Sequence, residues 1–189
     1  MILKIDKVNW PEQFSYCPDT EVEVSNDHEY LYLHYRVQGR QLRAMATEDQ
    51  QPVWEDSCVE FFCQVPEEKH YMNFETNCIG TMVASRRLSR TEDVQPLSID
   101  EMQQIVRHCS LPHQAIDERD GEFSWEVKLQ IPLRLIFGNK EVRFPQVLRA
   151  NFYKCADMTR EPHFVSWEPI SLPHPDFHCP QFFGEIVLE

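Results

Sequence analysis

Long apolar runs are missing from this 189-residue chain: no stretch approaches the roughly 18 apolar residues that a membrane-spanning helix needs. The opening segment MILKIDKVNW also lacks an apolar run of the length a secretory leader uses. The chain therefore reads as cytoplasmic, or as secreted if a leader has been removed. Positive charge is scarce. Lys and Arg number 18 against 31 Asp and Glu, giving a formal net charge of −13. The tightest basic cluster is Arg86, Arg87 and Arg90. Such a balance repels a phosphate backbone or an anionic bilayer, so neither nucleic acid nor membrane is an expected partner. A disulfide framework is missing as well. Cys17, Cys58, Cys63, Cys78, Cys109, Cys155 and Cys179 are odd in number and scattered. Several lie in apolar strand-like runs, where a free thiol packs as a small hydrophobe. A reducing compartment is the simpler reading.

Catalytic and metal signatures are also absent. The chain has no G-x-S-x-G, no C-x-x-C and no H-E-x-x-H. Its paired carboxylates, Glu55 and Asp56, Glu67 and Glu68, and Asp117 and Glu118, are adjacent in sequence and so point to opposite faces of a strand. A glycosidase needs two carboxyls facing each other across a bond. The densest ligand cluster, HPDFHC, holds His174, Asp176, His178 and Cys179, but its spacing does not bring four ligands to one transition metal. The chain is not expected to be an enzyme, and no metal ligands are assigned.

What the sequence has in abundance is alternation. In EYLYLHYRVQG, Leu31, Leu33, Tyr35 and Val37 share one parity, and Tyr30, Tyr32, His34 and Arg36 the other. Side chains alternate faces along a strand, so this is a strand with one apolar face. The same reading applies to 57–65, 70–78, 122–132, 147–155, 163–167 and 182–188. One stretch follows a helical period. Ser98 and Glu101 form a capping-box pair, and Ile99, Met102, Ile105 and Val106 recur at helical spacing, predicting a short helix over about 98–108. PLRLIFG, at 132–138, reads as a helical turn with proline first and glycine as the stop. The polar stretch 86–100 reads as a long loop. Many strands, one short helix and 13 prolines predict an all-β, antiparallel, jelly-roll-like β-sandwich formed by one domain over 1–189.

Aromatics carry the functional signal. Trp54 lies beside Glu55 and Asp56 at a loop–strand junction, just ahead of SCVEFFCQV, a strand that keeps Glu60 between apolar residues. Trp125 alternates with core residues. Trp167, at a strand end, reads more as core than as ligand. Phe177 lies in a proline- and histidine-rich loop, where an exposed ring is expected. A pyranose offers an apolar C–H face and a hydroxyl edge. A flat ring buries the face, and carboxylates and amides take the hydroxyls. Trp54 with Glu60 and Asn77 supplies both kinds of contact, provided that Glu60 and Asn77 sit on neighbouring strands.

The blocks VWEDSCVEFF, HYMNFETNCIG, WEVKLQIPLRLI, LRANFYKC, SWEPI and FFGEIVLE, in this order, resemble the family 9 carbohydrate-binding modules, a DOMON-related group of β-sandwiches. The resemblance spans about residues 20–189. It implies a non-catalytic module that holds a sugar, often the reducing end of a glycan, between two aromatic rings, with structural calcium whose ligands it does not locate here. The two rings fall on Trp54 and Phe177, the latter a tryptophan in the family pattern. The glutamate falls on Glu60 and an asparagine on Asn77. Glu75 stands where the pattern has arginine, replacing a donor-only cation with an acceptor. Glu75 and Trp167 are additional candidates. The expected partner is a small saccharide or glycan end. Two alternatives come from other classes. One is a haem-binding domain of the DOMON type, with His34, Met72 and His178 as candidate ligands. The other is a β-sandwich that uses the same face to bind a protein.

Overall fold

The alternation is realised as two antiparallel sheets packed face to face. The computed structural model describes residues 1–138, 140 and 142–189. In chain order its strands begin with β1 (Ile2–Lys4), β2 (Lys7–Val8), β3 (Asp19–Asn26) and β4 (Tyr30–Ala44). A 3₁₀ turn at Val53–Glu55 leads into β5 (Cys58–Gln64), β6 (Tyr71–Asn77), β7 (Met82–Arg87) and β8 (Gln95–Pro96). After α1 (Ile99–Met102) come β9 (Val106–Cys109), β10 (Ile116–Pro132) and α2 (Leu133–Phe137). The chain closes with β11 (Gln146–Cys155), β12 (Phe164–Ser166) and β13 (Gly184–Leu188). The first sheet has the order β1-β3-β4-β10-β9. The second runs β2-β12-β11-β5-β6-β7-β8, with β13 beside the first half of β11.

Between the sheets the parity read from the sequence holds. Leu31, Leu33, Tyr35 and Val37 pair in register with Ile131, Leu129, Val127 and Trp125, and all eight are buried. The second sheet answers with Val59, Phe61, Met72, Phe74, Leu148 and Phe152. The Phe61 ring stacks between Phe74 and Phe152, with centroids 5.9 and 5.1 Å away.

The helix expected over 98–108 is corrected to a single turn. Ser98 and Glu101 form the capping box as read, but helix ends at Met102. Val106–Cys109 instead pairs antiparallel with Val127–Gln130. Edge pairing satisfies a whole row of backbone groups, and the weak helical period of Ile105 and Val106 did not outweigh it. The turn at 132–138 forms as α2, with Pro132 as its N-cap. Of the expected loop 86–100, Arg86 and Arg87 belong to β7 and Gln95–Pro96 to β8.

The second sheet departs most from a simple one-faced strand pattern. Every residue of β5 and β6 is buried. Their outward face carries a second cluster, in which Phe62, Tyr71 and Tyr153 pack under Trp10, Val53, Ile170, Phe177 and Phe183. The loop before β5 and the segment after β12 fold back over the sheet and close it in. Trp10 Nε1 ties this cover down by donating to the Leu172 carbonyl, 2.7 Å away. Glu60 lies under this cover, which answers why a glutamate sits in an apolar strand: both faces are enclosed, and the outward one is lined by polar as well as apolar side chains.

Candidate functional site

A cavity of about 580 Å³ lies between the outward face of the second sheet and its covering loops. That is within the range of small-molecule sites. Its walls include Trp54, Glu60, Glu75, Arg87, Asp157, Phe177 and His178.

Trp54 is positioned by its turn. Val53 is fully buried and pins the turn to the second core. The Trp54 and Glu55 carbonyls accept from the Asp157 and Met158 amides at 3.0 and 3.2 Å. The indole itself is 39% exposed. Asp56, one residue on, is buried. Its carboxylate accepts from Arg43 Nη1, from the Met45 and Ala46 amides at 2.9 and 3.0 Å, and from Asn77 Nδ2 at 3.0 Å. Asn77 also donates to the Ala46 carbonyl and accepts from the Thr81 amide. Its amide is fully committed to bracing the loop that carries Trp54, and Asn77 does not line the cavity. It shares strand parity with Glu60, as expected, yet its hydrogen bonds leave it nothing for a ligand.

Glu60 and Glu75 are directly opposed across β5 and β6, and both are buried. Among the described residues neither has a cation within ion-pairing distance. Glu60 accepts from the Cys155 thiol at 3.1 Å. Glu75 ends a polar relay. Arg87 donates through Nε and Nη2 to Ser85 Oγ at 2.9 and 2.6 Å. Ser85 donates to Asn73 Oδ1 at 2.6 Å, and Asn73 Nδ2 donates to Glu75 Oε1 at 2.9 Å. Each carboxyl keeps an oxygen that these bonds leave free. Burial pushes the Glu60 carboxyl well above the usual carboxylate range. Burial also raises Glu75 to about 7, against a smaller downward pull from Arg87, and raises Asp157 to about 6. His178 shares a 2.8 Å hydrogen bond with the Tyr71 hydroxyl. Burial, with Arg87 and Arg90 nearby, lowers it to about 3, so it is neutral. The site thus combines neutral donors, part-protonated carboxyls that donate as well as accept, and one enclosed guanidinium.

These shifts make stability depend on pH in a defined direction. A carboxyl that titrates near 4.5 unfolded and near 7 folded binds more protons in the folded chain between those values. Its contribution is complete below about 4.5 and is lost as pH rises to about 7. Glu75→Gln removes that loss. The variant is expected to gain on the wild type progressively across this window, reaching on the order of 1–2 kcal/mol by pH 8. Urea unfolding at a series of pH values measures it; a stability difference that does not change with pH would contradict the assignment.

Phe177 is not the free ring expected of it. It is only 7% exposed and stacks on Tyr153, with centroids 4.1 Å apart and planes 10° from parallel. The Tyr153 hydroxyl donates to the Phe177 carbonyl. The loop doubles back onto the sheet, and Tyr153 already occupies one face of the ring. Phe177 therefore forms part of the wall. Trp167 packs edge-on against Phe152 at 5.7 Å, joining the core between the sheets and lying away from the cavity. Arg87, Ser85 and Asn73 escaped the sequence reading. Their signal was the parity that Asn73 shares with Glu75 and that Ser85 shares with Arg87.

The candidate haem ligands do not converge. His34 lies on the outward face of the first sheet, bonded to Glu126 and Arg36. Met72 is between the sheets, and His178 is in the cavity wall. For calcium, which takes six to eight oxygen ligands, backbone and amide carbonyls among them, no ligand set is assigned. Among the described residues the one group of three His, Cys, Asp or Glu side chains close enough to share an ion is Cys58, Glu60 and Cys155, which offers two sulfurs and one carboxyl.

The family model described as Carbohydrate-binding family 9 matches residues 1–188. Among solved structures, a provisionally assigned carbohydrate-binding protein from Bacteroides uniformis is 36% identical, with a TM-score of 0.93 over 100% of this chain and 86% of its own. Two structures of a carbohydrate-binding module family 9 from Caldicellulosiruptor kristjanssonii, in complex with glucose and with cellotriose, are each 14% identical. Each has a TM-score of 0.59 over 97% of this chain, and 84% and 83% of their own length is covered. No curated protein sequence matches the chain.

Proposed function

Because the chain belongs to carbohydrate-binding family 9, we propose that the cavity on the outward face of the second sheet is its saccharide site. In this reading the exposed indole of Trp54 covers the apolar face of a sugar ring, and Phe177 closes the cavity with the edge of its ring. Glu60, Glu75 and Arg87 take the hydroxyls. The module binds and does not catalyse; family and structural neighbours alike are described by carbohydrate binding.

One observation carries this assignment. A half-exposed tryptophan stands over two buried carboxyls that the protein leaves incompletely hydrogen-bonded. The carboxyl oxygens that protein bonds leave free belong to residues that line the cavity, where a ligand rich in hydroxyls can donate to them. The two opposed carboxyls also suit a hydroxyl edge, since a protonated and an ionised carboxyl side by side can both donate and accept.

Calorimetric titration with mono- and disaccharides tests the proposal. Glucose and cellotriose, which the Caldicellulosiruptor module holds, are the first probes. Saturable binding at a single site per chain is expected, and no heat from any member of a broad saccharide panel would overturn it.

A further inference from the structure

Cys58 and Cys155 stand directly opposite each other on β5 and β11. Both side chains are on the outward face of the sheet, as is that of Glu60, two residues along the same strand from Cys58. Their sulfurs and a Glu60 oxygen all lie within 4.8 Å of one another, and the Cys155 sulfur is 3.1 Å from Glu60 Oε1. Cys155 and Glu60 line the cavity, with Cys58 buried behind them. We propose that these three residues form a site for one thiophilic divalent cation, of which zinc is the representative, at the floor of the cavity.

The donor set is the argument. Two sulfurs and one carboxylate are a zinc set, and three protein ligands leave the fourth tetrahedral position open toward the cavity. Tetrahedral zinc with bonds of about 2.3 Å to sulfur holds two thiolates about 3.8 Å apart, a separation compatible with the 4.8 Å that encloses these ligand atoms. Binding releases the two thiol protons and the Glu60 proton to solvent, so no oxidant or reductant is involved. Burial holds the Cys58 thiol up at about 12 and Cys155 above its usual range. Without the ion both therefore stay protonated, and affinity rises steeply with pH. The ion and its three anionic ligands carry one net negative charge, which the buried Lys154 ammonium on the other face of β11 offsets in part.

Cobalt(II) added to the reduced full-length chain gives the readout. Expected are uptake of a single ion per chain, thiolate-to-cobalt charge-transfer absorption, the strong visible bands of a tetrahedral centre, and displacement by zinc. Cys58→Ser and Cys155→Ser should each lose the charge-transfer intensity of one thiolate and weaken zinc by more than about 100-fold, beyond the 10–100-fold typical of outer-shell changes. Glu60→Gln should retain the thiolate absorption with weaker binding. Cys17→Ser, at an exposed thiol elsewhere, should change nothing. Absence of thiolate absorption in the wild type, or its persistence in the Cys58→Ser/Cys155→Ser double variant, would overturn the site. Circular dichroism of each variant separates lost ligation from lost fold. The cation site shares Glu60 with the saccharide reading but does not depend on it, and sugar titration of the two single Cys variants, which keep Glu60, separates the two.

Discussion

Trp54→Ala should weaken saccharide binding ~30–150-fold while the thermal midpoint moves by no more than a few degrees. Removing the indole takes away the exposed aromatic surface of the cavity wall. Stacking that buries roughly 80–120 Å² of it is worth about 2–3 kcal/mol at the usual area coefficient, and 1.4 kcal/mol is a tenfold change in affinity. Stability should hardly change because the fold does not rest on this ring. It is 39% exposed, whereas Val53 and the two backbone hydrogen bonds to Asp157 and Met158 keep the turn in place. Calorimetry of both proteins against one ligand, with thermal unfolding alongside, checks the pair of outcomes. Unchanged affinity in a folded variant would remove Trp54 from the site.

How far the sequence could be read depended on how many faces a strand buries. Where a strand has one buried face, as in β4 and β10, alternation located both the element and the inward residues, because period 2 is then a direct record of burial. In the second sheet both faces are covered, and a record of burial no longer tells a core position from a site position. Glu60 and Trp54 still stood out, one as a carboxyl inside an apolar run and the other as a ring among acids. Asn77 was read as a site residue because the family resemblance places an asparagine there, on the strand next to that of Glu60. What that placement does not reveal is that three hydrogen bonds, to Ala46, Asp56 and Thr81, already occupy it. Phe177 illustrates a second limit. Its loop carries no periodic pattern, so nothing local in the sequence records that it folds back onto Tyr153. The relay from Arg87 to Glu75 crosses from β7 to β6, and its members belong together only once the strands are paired.

The relation between loop and cavity gives the other large effect. Asp56→Ala should destabilise the protein by about 3–5 kcal/mol, the range seen when one partner of a buried ion pair is removed. The carboxylate is 1% exposed. Its loss takes the acceptor from the Met45 and Ala46 amides and one Asn77 donor, and leaves the partly exposed Arg43 guanidinium only the Glu55 carbonyl. For a chain of this length that corresponds to a fall in thermal midpoint of roughly 6–20 °C. Glu55→Ala, next door and without a side-chain hydrogen bond among the described residues, should stay within about 0.5 kcal/mol. Denaturant unfolding measures both. Because Asp56 and Asn77 hold the segment that carries Trp54, the still-folded Asp56→Ala protein should also bind saccharide more weakly. Trp54→Ala then loses affinity at constant stability, and Asp56→Ala loses stability first and affinity as a consequence. If Asp56→Ala instead unfolds like the wild type, the four hydrogen bonds to its carboxylate are not what fixes the loop, and the preorganisation of the Trp54 wall must rest on Val53 and the backbone contacts to Asp157 and Met158 alone.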